Sequence, residues 1–205
     1  MRGRFITVEG VEGAGKSTNI QFLVDNLKQR GIDVVQTREP GGTPCAEAIR
    51  EVLLTPRDEE VDPTAELLLM FAARSQHLKT LILPALERGQ WVVCDRFTDA
   101  TYAYQGGGRQ LGFEQVAILE GLVQGELRPD CTLVLDLPVE QGMARVGKRG
   151  SKDRFEREEL EFFERVRAAY HALIAVDPAR YRLVDASGNL QQVQEQLTAV
   201  LDELC

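Results

Sequence analysis

Eight residues near the N-terminus, Gly10-Val11-Glu12-Gly13-Ala14-Gly15-Lys16-Ser17, fit the pattern G-x-x-x-x-G-K-[ST] at every fixed position. A glycine-rich loop of this kind curls so that successive backbone N–H groups converge on one anion. A helix opening at its end adds partial positive charge. Lys16 then reaches the outer phosphates of a nucleoside triphosphate, and the Ser17 hydroxyl is placed for Mg²⁺. Gly10, Val11, Glu12, Gly13, Ala14, Gly15, Lys16, Ser17 and Thr18 form the expected triphosphate site. A lysine at a helix start opposes the helix dipole, so a bound phosphate explains Lys16 better than a solvated surface position does. The loop specifies a phosphorylated nucleotide and leaves the reaction open.

Cations recur wherever a strand-like run ends. Arg38-Glu39-Pro40-Gly41-Gly42-Thr43 places an arginine beside a turn that allows close backbone approach; an ordinary turn with a solvated arginine fits that loop equally well on its own. Asp95-Arg96-Phe97 offers a carboxylate for Mg²⁺, directly or through water, and a second phosphate clamp. Its bland alternative is an exposed ion pair worth little. Phe71 and Arg74 are three residues apart and share a helix face, so a ring and a guanidinium could read a base together. Taken bare, Phe71 is more often a core residue. His77 reads as structural. Thr101-Tyr102-Ala103-Tyr104-Gln105-Gly106-Gly107-Gly108 supplies hydroxyls and an amide: Gln105 for a base edge, Tyr102 for packing against the sugar. The alternative is a mobile loop with aromatic anchors. Six basic residues lie between Arg145 and Arg157 (Arg145, Lys148, Arg149, Lys152, Arg154 and Arg157), a pattern fitting a basic lid at about 145–157. A solvated, salt-bridged helix end is the competing reading, because Asp153, Glu156 and Glu158 sit nearby.

These residues need a scaffold that brings strand ends together. Phe5–Glu9, Asp33–Thr37, Trp91–Asp95 and Thr132–Asp136 read as short, mostly apolar strands, and Arg182–Asp185 as a weaker fifth. Continuous apolar runs indicate burial on both faces, as in a parallel sheet. Helices are predicted over Thr18–Arg30, Asp62–Leu86 with a kink at Pro84, Phe113–Leu127, Val139–Val146, Leu160–Val176 and Leu190–Leu204. The alternation predicts a three-layer α/β fold, a five-stranded parallel sheet flanked by helices, with ligands beyond the carboxyl ends of the strands.

Composition narrows the function. The chain has 205 residues, 43% hydrophobic and 27% charged, with a net charge of −8. That predicts one compact domain over residues 1–205 and excludes a disordered or fibrous chain. The acidic balance argues against duplex nucleic acid or an anionic membrane as partner. No apolar run approaches the roughly 20 residues of a membrane span, and no signal-peptide pattern is evident at the N-terminus. Cys45, Cys94, Cys131 and Cys205 are scattered without a CxxC pair, which fits reduced thiols and a cytoplasmic location. The base-reading N-K-x-D motif usual in regulatory GTPases is missing, and many arginines suit a kinase acting on a small phosphorylated acceptor.

Taken in order, Phe5–Gly10, Gly13–Thr18, Arg38–Thr43, Phe71-Ala72-Ala73-Arg74, Asp95-Arg96-Phe97, Ala103–Gly106 and Asp153-Arg154-Phe155-Glu156 make the chain resemble the thymidylate kinase family over essentially its full length. The resemblance implies transfer of the ATP γ-phosphate to dTMP with Mg²⁺, a homodimer, and dTMP contacts at Glu12, Arg38, Phe71, Arg74, Arg96, Thr101, Tyr102 and Gln105. Within it, Phe71 would stack on thymine, Arg74 would bond the base, Gln105 would lie beside it and Tyr102 would disfavour ribose. Arg38 and Arg96 would hold the monophosphate, Glu12 would lie near the sugar 3′-hydroxyl, Ser17 and Asp95 would serve the metal, and Pro40 would be cis. Some members carry an arginine within the phosphate loop. Here that position is Gly13, which resembles the bacterial type and leaves the arginine-rich lid, at Arg149 or Arg154, as the source of that charge; Lys16, Arg96 and Glu12 are the other expected catalytic residues. Other nucleoside monophosphate kinases, a nucleotide sensor without turnover, and a nucleic-acid module are the competing readings.

Overall fold

The computed structural model describes residues 2–147 and 153–205. Five strands, β1 (Phe5–Glu9), β2 (Val34–Arg38), β3 (Trp91–Asp95), β4 (Cys131–Asp136) and β5 (Tyr181–Asp185), form one parallel sheet in the order β2-β3-β1-β4-β5. Central β1 is buried along its whole length, whereas edge strands β2 and β5 are partly exposed. This explains why the apolar signal is strong for the inner strands and weak for the fifth.

Alternate side chains of the sheet enter two separate apolar layers. Ile6, Val8 and Val93 pack with α1 (Lys16–Gln29) residues Ile20, Leu23 and Leu27 and with Val193, Leu197 and Leu201 further on. Phe5, Val92 and Cys94 face the opposite way, onto Leu78, Ile82 and Leu86. Two covered faces give the three layers expected from the sequence.

The remaining helices follow the predicted rhythm with informative departures. α2 (Pro44–Leu54) was not expected; Thr43 caps it by accepting from the Ala46 N–H, and Pro44 occupies the first turn. The long helix expected from Asp62 is three pieces: α3 (Pro63–His77), a π-helical turn over Leu78–Ile82, and α4 (Leu83–Glu87). The wide turn directly precedes Pro84, which lacks an N–H and crowds the carbonyl four residues back. α5 (Thr98–Thr101) runs into a second π-helical stretch, Tyr102–Gly108, where a loop was expected. Its glycines let it lie against a later helix, α8 (Leu160–Val176), since an added Cβ would come within 2.7 Å of Ala169 at Gly107 and 2.6 Å of Phe162 at Gly108. α6 (Phe113–Val123), α7 (Val139–Val146) and α9 (Leu190–Leu204) complete the chain, with a 3₁₀ turn at Phe155–Arg157 before α8.

Candidate active site

β1, β2 and β3 end side by side, so their following loops converge on one cavity of about 250 Å³. Its wall includes Glu12, Gly13, Gly15, Lys16 and Ser17 from the loop after β1, Arg38, Glu39 and Pro40 after β2, and Asp95, Arg96 and Phe97 after β3. The position obeys the rule for parallel α/β sheets, with the site beyond the carboxyl edge of the strands.

The phosphate loop is shaped by three left-handed glycines, Gly10, Gly13 and Gly15. Gly15 precedes α1, so Lys16 and Ser17 sit in the first helical turn, which contains no acidic residue. Lys16 Nζ donates to the carbonyls of Gly10 and Val11 at 3.1 Å each. Burial, and then the neighbouring Arg96 charge, press its pKa below the ordinary value. Ser17 and Asp95 both line the cavity, and Asp95 Oδ1 is buried with no hydrogen-bond partner among the described residues. A hydroxyl and an unpartnered carboxylate oxygen are the hard donors that Mg²⁺ takes when phosphates complete its shell.

Arg96 is held in a backbone conformation unusual for a side chain, with φ at +67°. Its own N–H donates to the Val8 carbonyl at 3.0 Å, and the Phe97 N–H donates to Glu9 Oε1 at 2.7 Å. Such strain costs about 1–3 kcal/mol and persists only where neighbours enforce it. The guanidinium then donates to Glu12 Oε1 at 2.6 Å, the Tyr104 hydroxyl at 2.9 Å and the Gly10 carbonyl at 3.1 Å. Glu9, which anchors this turn, is fully buried; desolvation, and then the nearby Asp99 charge, raise its pKa from 4.5 to about 8 against the opposing pull of Arg96, Tyr170 and the Phe97 N–H.

Arg38 lines the cavity while pairing with Glu47 at 2.8 Å. Arg50, from α2, reaches the same wall and donates to the Pro40 carbonyl at 2.7 Å. Burial, and then the charge of Arg38, depress the Arg50 pKa, and both guanidiniums line the same cavity. The sequence reading missed Arg50 because it missed α2; the Thr43-Pro44 start signal was its one available cue. The Glu39–Pro40 peptide is cis.

Arg74 is buried at the far end of the cavity. Its Nε donates to Glu39 Oε2 at 2.7 Å and its Nη2 to the Thr101 hydroxyl at 2.9 Å, while Nη1 has no partner among the described residues. Glu39 also pairs with His77 Nδ1 at 2.9 Å, and His77 Nε2 meets the Thr37 hydroxyl at 2.7 Å, a structural place for this histidine. Gln105 is fully buried in the same wall; its Nε2 donates to Glu66 and its Oε1 is unpartnered among the described residues.

A cavity with a phosphate loop at one end and buried polar atoms at the other calls for comparison with known proteins. The family model for thymidylate kinase matches residues 8–197. The thymidylate kinase of Pseudomonas fluorescens strain Pf-5 is 60% identical over 204 residues, covering 100% of this chain and 97% of the relative. That of Pseudomonas entomophila is 61% identical over 201 residues, covering 98% and 96%. The chain belongs to the thymidylate kinase family. The crystal structure of the thymidylate kinase from Ehrlichia chaffeensis superimposes with a TM-score of 0.79 at 31% identity, covering 98% of this chain and 99% of that one.

Set against the contacts expected for a thymidylate kinase, the structure gathers Glu12, Lys16, Ser17, Arg38, Arg74, Asp95, Arg96, Thr101 and Gln105 around one cavity. Two expected aromatic contacts lie outside the cavity wall. Phe71 is not in the wall: its ring is buried with Leu67 and Val116, beneath the Arg74 guanidinium at 4.7 Å. Met70, one full turn before Arg74, lines the cavity instead. Tyr102 likewise turns away, donating to Glu120 at 2.6 Å and meeting Phe113 edge-on. Tyr104 faces the cavity, since residues two apart on a helical stretch point to different sides.

The basic stretch also needs correction. Arg149, Lys148 and Lys152 lie outside the described residues. Arg145 donates to the carbonyls of Gly13 and Ala186 and lines a second cavity with Thr18, Gly188 and Leu190, a wall position rather than a lid position. Arg154 does not line the main cavity; it donates to the Leu53 carbonyl at 2.7 Å and to buried Glu66 at 2.5 Å, and lies over Phe155. A buried carboxylate demands a cation, and Arg154 meets that demand. The absence of an arginine at position 13 has its own cause: a Cβ on Gly13 would come within 2.1 Å of the Gly142 carbonyl in α7.

Proposed function

We propose that the chain transfers the γ-phosphoryl group of ATP to dTMP, giving dTDP and ADP, with the phosphate loop holding the donor and Arg74 and Gln105 reading the acceptor base. Family membership makes it an enzyme, a dTMP kinase. The observation that carries the site reading is the pair of unpartnered atoms, Arg74 Nη1 as donor and Gln105 Oε1 as acceptor, in one cavity wall. Thymine presents the complement on one edge, an O4 acceptor and an N3–H donor. Met70 and Tyr104 supply apolar surface beside that edge.

In the reaction an oxygen of the dTMP phosphate forms a bond to the γ-phosphorus as the bond to the bridging oxygen breaks, and ADP leaves. Both reactants are anions, so neutralising and aligning them carries the rate. Lys16 faces the donor phosphates, and Arg96, Arg38 and Arg50 face the acceptor phosphate. Glu12 fixes Arg96 through the 2.6 Å pair. Arg149 is a further source of charge for the transferring phosphoryl group. Ser17 and Asp95 would hold Mg²⁺, which would supply charge neutralisation to the phosphates. The second cavity, with Arg145 and Ala186, is the place for adenine.

We read residues 1–205 as one catalytic domain acting as a homodimer in the cytoplasm. Leu68 on α3 and Ile118 and Leu122 on α6 are exposed on helices whose other faces meet around Leu67, Phe71 and Val116, and so offer an apolar face to a second copy. Four free cysteines fit a reducing compartment. A coupled ADP-release assay with ATP, Mg²⁺ and dTMP, dUMP, UMP, CMP, AMP or GMP tests the reaction: turnover favouring dTMP supports it, and preference for another monophosphate overturns the assignment. Light scattering of the wild type and of Leu122→Glu tests the dimer, which should become a monomer in the variant.

A further inference from the structure

Beyond the reading of the base by Arg74 and Gln105, on which this inference rests, lies the question of what keeps a glutamine amide turned one way. An amide has two nearly isosteric orientations with opposite hydrogen-bonding sense. In one, Gln105 would offer an acceptor to the base; in the other, a donor. The choice sets the selectivity of the site, because thymine presents a donor at N3 and cytosine an acceptor.

We propose that Glu66 is a positioning residue that locks the Gln105 amide with its oxygen toward the base, and so sets the preference for thymine over cytosine. Glu66 lies on α3 with no solvent exposure, and it does not line the cavity. Its Oε1 accepts from Gln105 Nε2 at 2.7 Å. The same carboxylate is ion-paired with Arg154 at 2.5 Å and Arg109 at 3.3 Å, and Arg109 is paired in turn with Glu158 at 2.7 Å. An ion-paired carboxylate accepts and does not donate. The only end of the amide it tolerates is the NH₂, which leaves Oε1 for the ligand. That oxygen is buried and unpartnered among the described residues, the state expected of an acceptor kept for a substrate donor. Arg74, whose own orientation is fixed by Glu39 and Thr101, supplies the donor half independently.

In Glu66→Gln, residue 66 gains an NH₂ of its own. Gln105 can then turn over, placing its donor toward the base, where cytosine N3 accepts it. The experiment measures kcat/KM for dTMP and dCMP in wild type, Glu66→Gln and Arg109→Ala. Arg109→Ala loosens the same cluster but leaves the carboxylate in place. Glu66→Gln should lower the dTMP/dCMP ratio roughly tenfold or more, the scale of one reversed hydrogen bond at a base edge. Arg109→Ala should leave the ratio within about twofold, as expected of a change that spares the Glu66–Gln105 bond. An unchanged ratio in Glu66→Gln, or an equal fall in both variants, overturns the proposal. A wild type without preference for dTMP sinks the base-reading assignment instead. Should Glu66→Gln not fold, the wild type answers by NMR. The Gln105 side-chain amide, assigned by its loss in Gln105→Ala, should show one downfield proton in slow exchange with solvent. An ordinary, fast-exchanging amide pair there overturns the proposal too.

Discussion

Glu39 offers the most demanding test of how the site is built. Its carboxylate accepts from Arg74 Nε at 2.7 Å and meets His77 Nδ1 at 2.9 Å, and the Arg74 and Glu39 side chains are only 2% and 3% exposed. Glu39→Gln keeps the volume and one acceptor but removes the countercharge, leaving a buried guanidinium with only neutral partners. Breaking a buried pair from one side costs about 3–5 kcal/mol. Against a total stability of about 5–15 kcal/mol for a domain, that is a large fraction, and it should appear as a lower urea midpoint at unchanged slope. Removing both charges in Glu39→Gln/Arg74→Met should recover much of the loss, because no uncompensated charge remains, giving a coupling of about 0.5–3 kcal/mol for neighbours in one network. The activity readout separates the site from the fold: at temperatures where Glu39→Gln is folded, KM for dTMP should rise, since Arg74 loses the partner that aims it, while KM for ATP should stay near wild type. A Glu39→Gln protein within about 1 kcal/mol of wild type would falsify the claim that this pair anchors Arg74. So would a double variant no more stable than the sum of its singles.

Other expectations follow from the same geometry. Glu9 titrates near 8 in the folded protein against a usual 4.5, so the folded state holds its proton longer; the stabilisation is complete below pH 4.5 and is lost as pH rises toward 8. Glu9→Gln should remove a slope of up to about 1.4 kcal/mol per pH unit across that window in urea unfolding; identical slopes would count against the shift. Lys16→Ala should lower kcat by about 10²–10³-fold in the ADP-release assay, the scale of losing one positioned charge at a developing oxyanion, and near-normal turnover would remove it from the reaction. Met70→Ala should raise KM for dTMP, whereas Phe71→Ala should cost about 3–5 kcal/mol of stability with little change in that KM at temperatures where it folds. The reverse pattern would return the base-facing role to Phe71.

Where burial and motif spacing coincide, the sequence was readable. The inner strands announce themselves because a segment covered on both faces must be apolar at every position, and the phosphate loop because its glycines and lysine occupy fixed places. The edge strands are half exposed and carry a weaker pattern, which explains the shortened fifth strand. α2 was hidden because Thr43 closes a glycine turn and caps a helix at once. The stretch Tyr102–Gly108 looked like a loop because three glycines disfavour helix; close packing against α8 overrides that preference. The differences in side-chain placement share one origin. Sequence spacing tells which residues share a helix face, but two faces of α3 are buried, one in the core and one in the cavity, and the choice between Phe71 and Met70 is made by tertiary packing. The same holds for Tyr102 and Tyr104. Arg154 was misplaced because its partner, Glu66, lies 88 residues away in the chain.

The contact between the phosphate loop and α7 constrains both of its glycines. Gly13 and Gly142 meet backbone to backbone: a Cβ on the first would lie 2.1 Å from the Gly142 carbonyl, and a Cβ on the second 2.3 Å from the Glu12 carbonyl. Neither position is free to drift alone. An arginine arriving at 13 would have to displace α7, which also carries Arg145 against the Gly13 carbonyl. A side chain at 13 and α7 seated as it is here therefore compete for one space, so any residue larger than glycine at 13 requires α7 to shift. The glycine at 13 is as much a record of where α7 came to rest as it is part of a phosphate cradle.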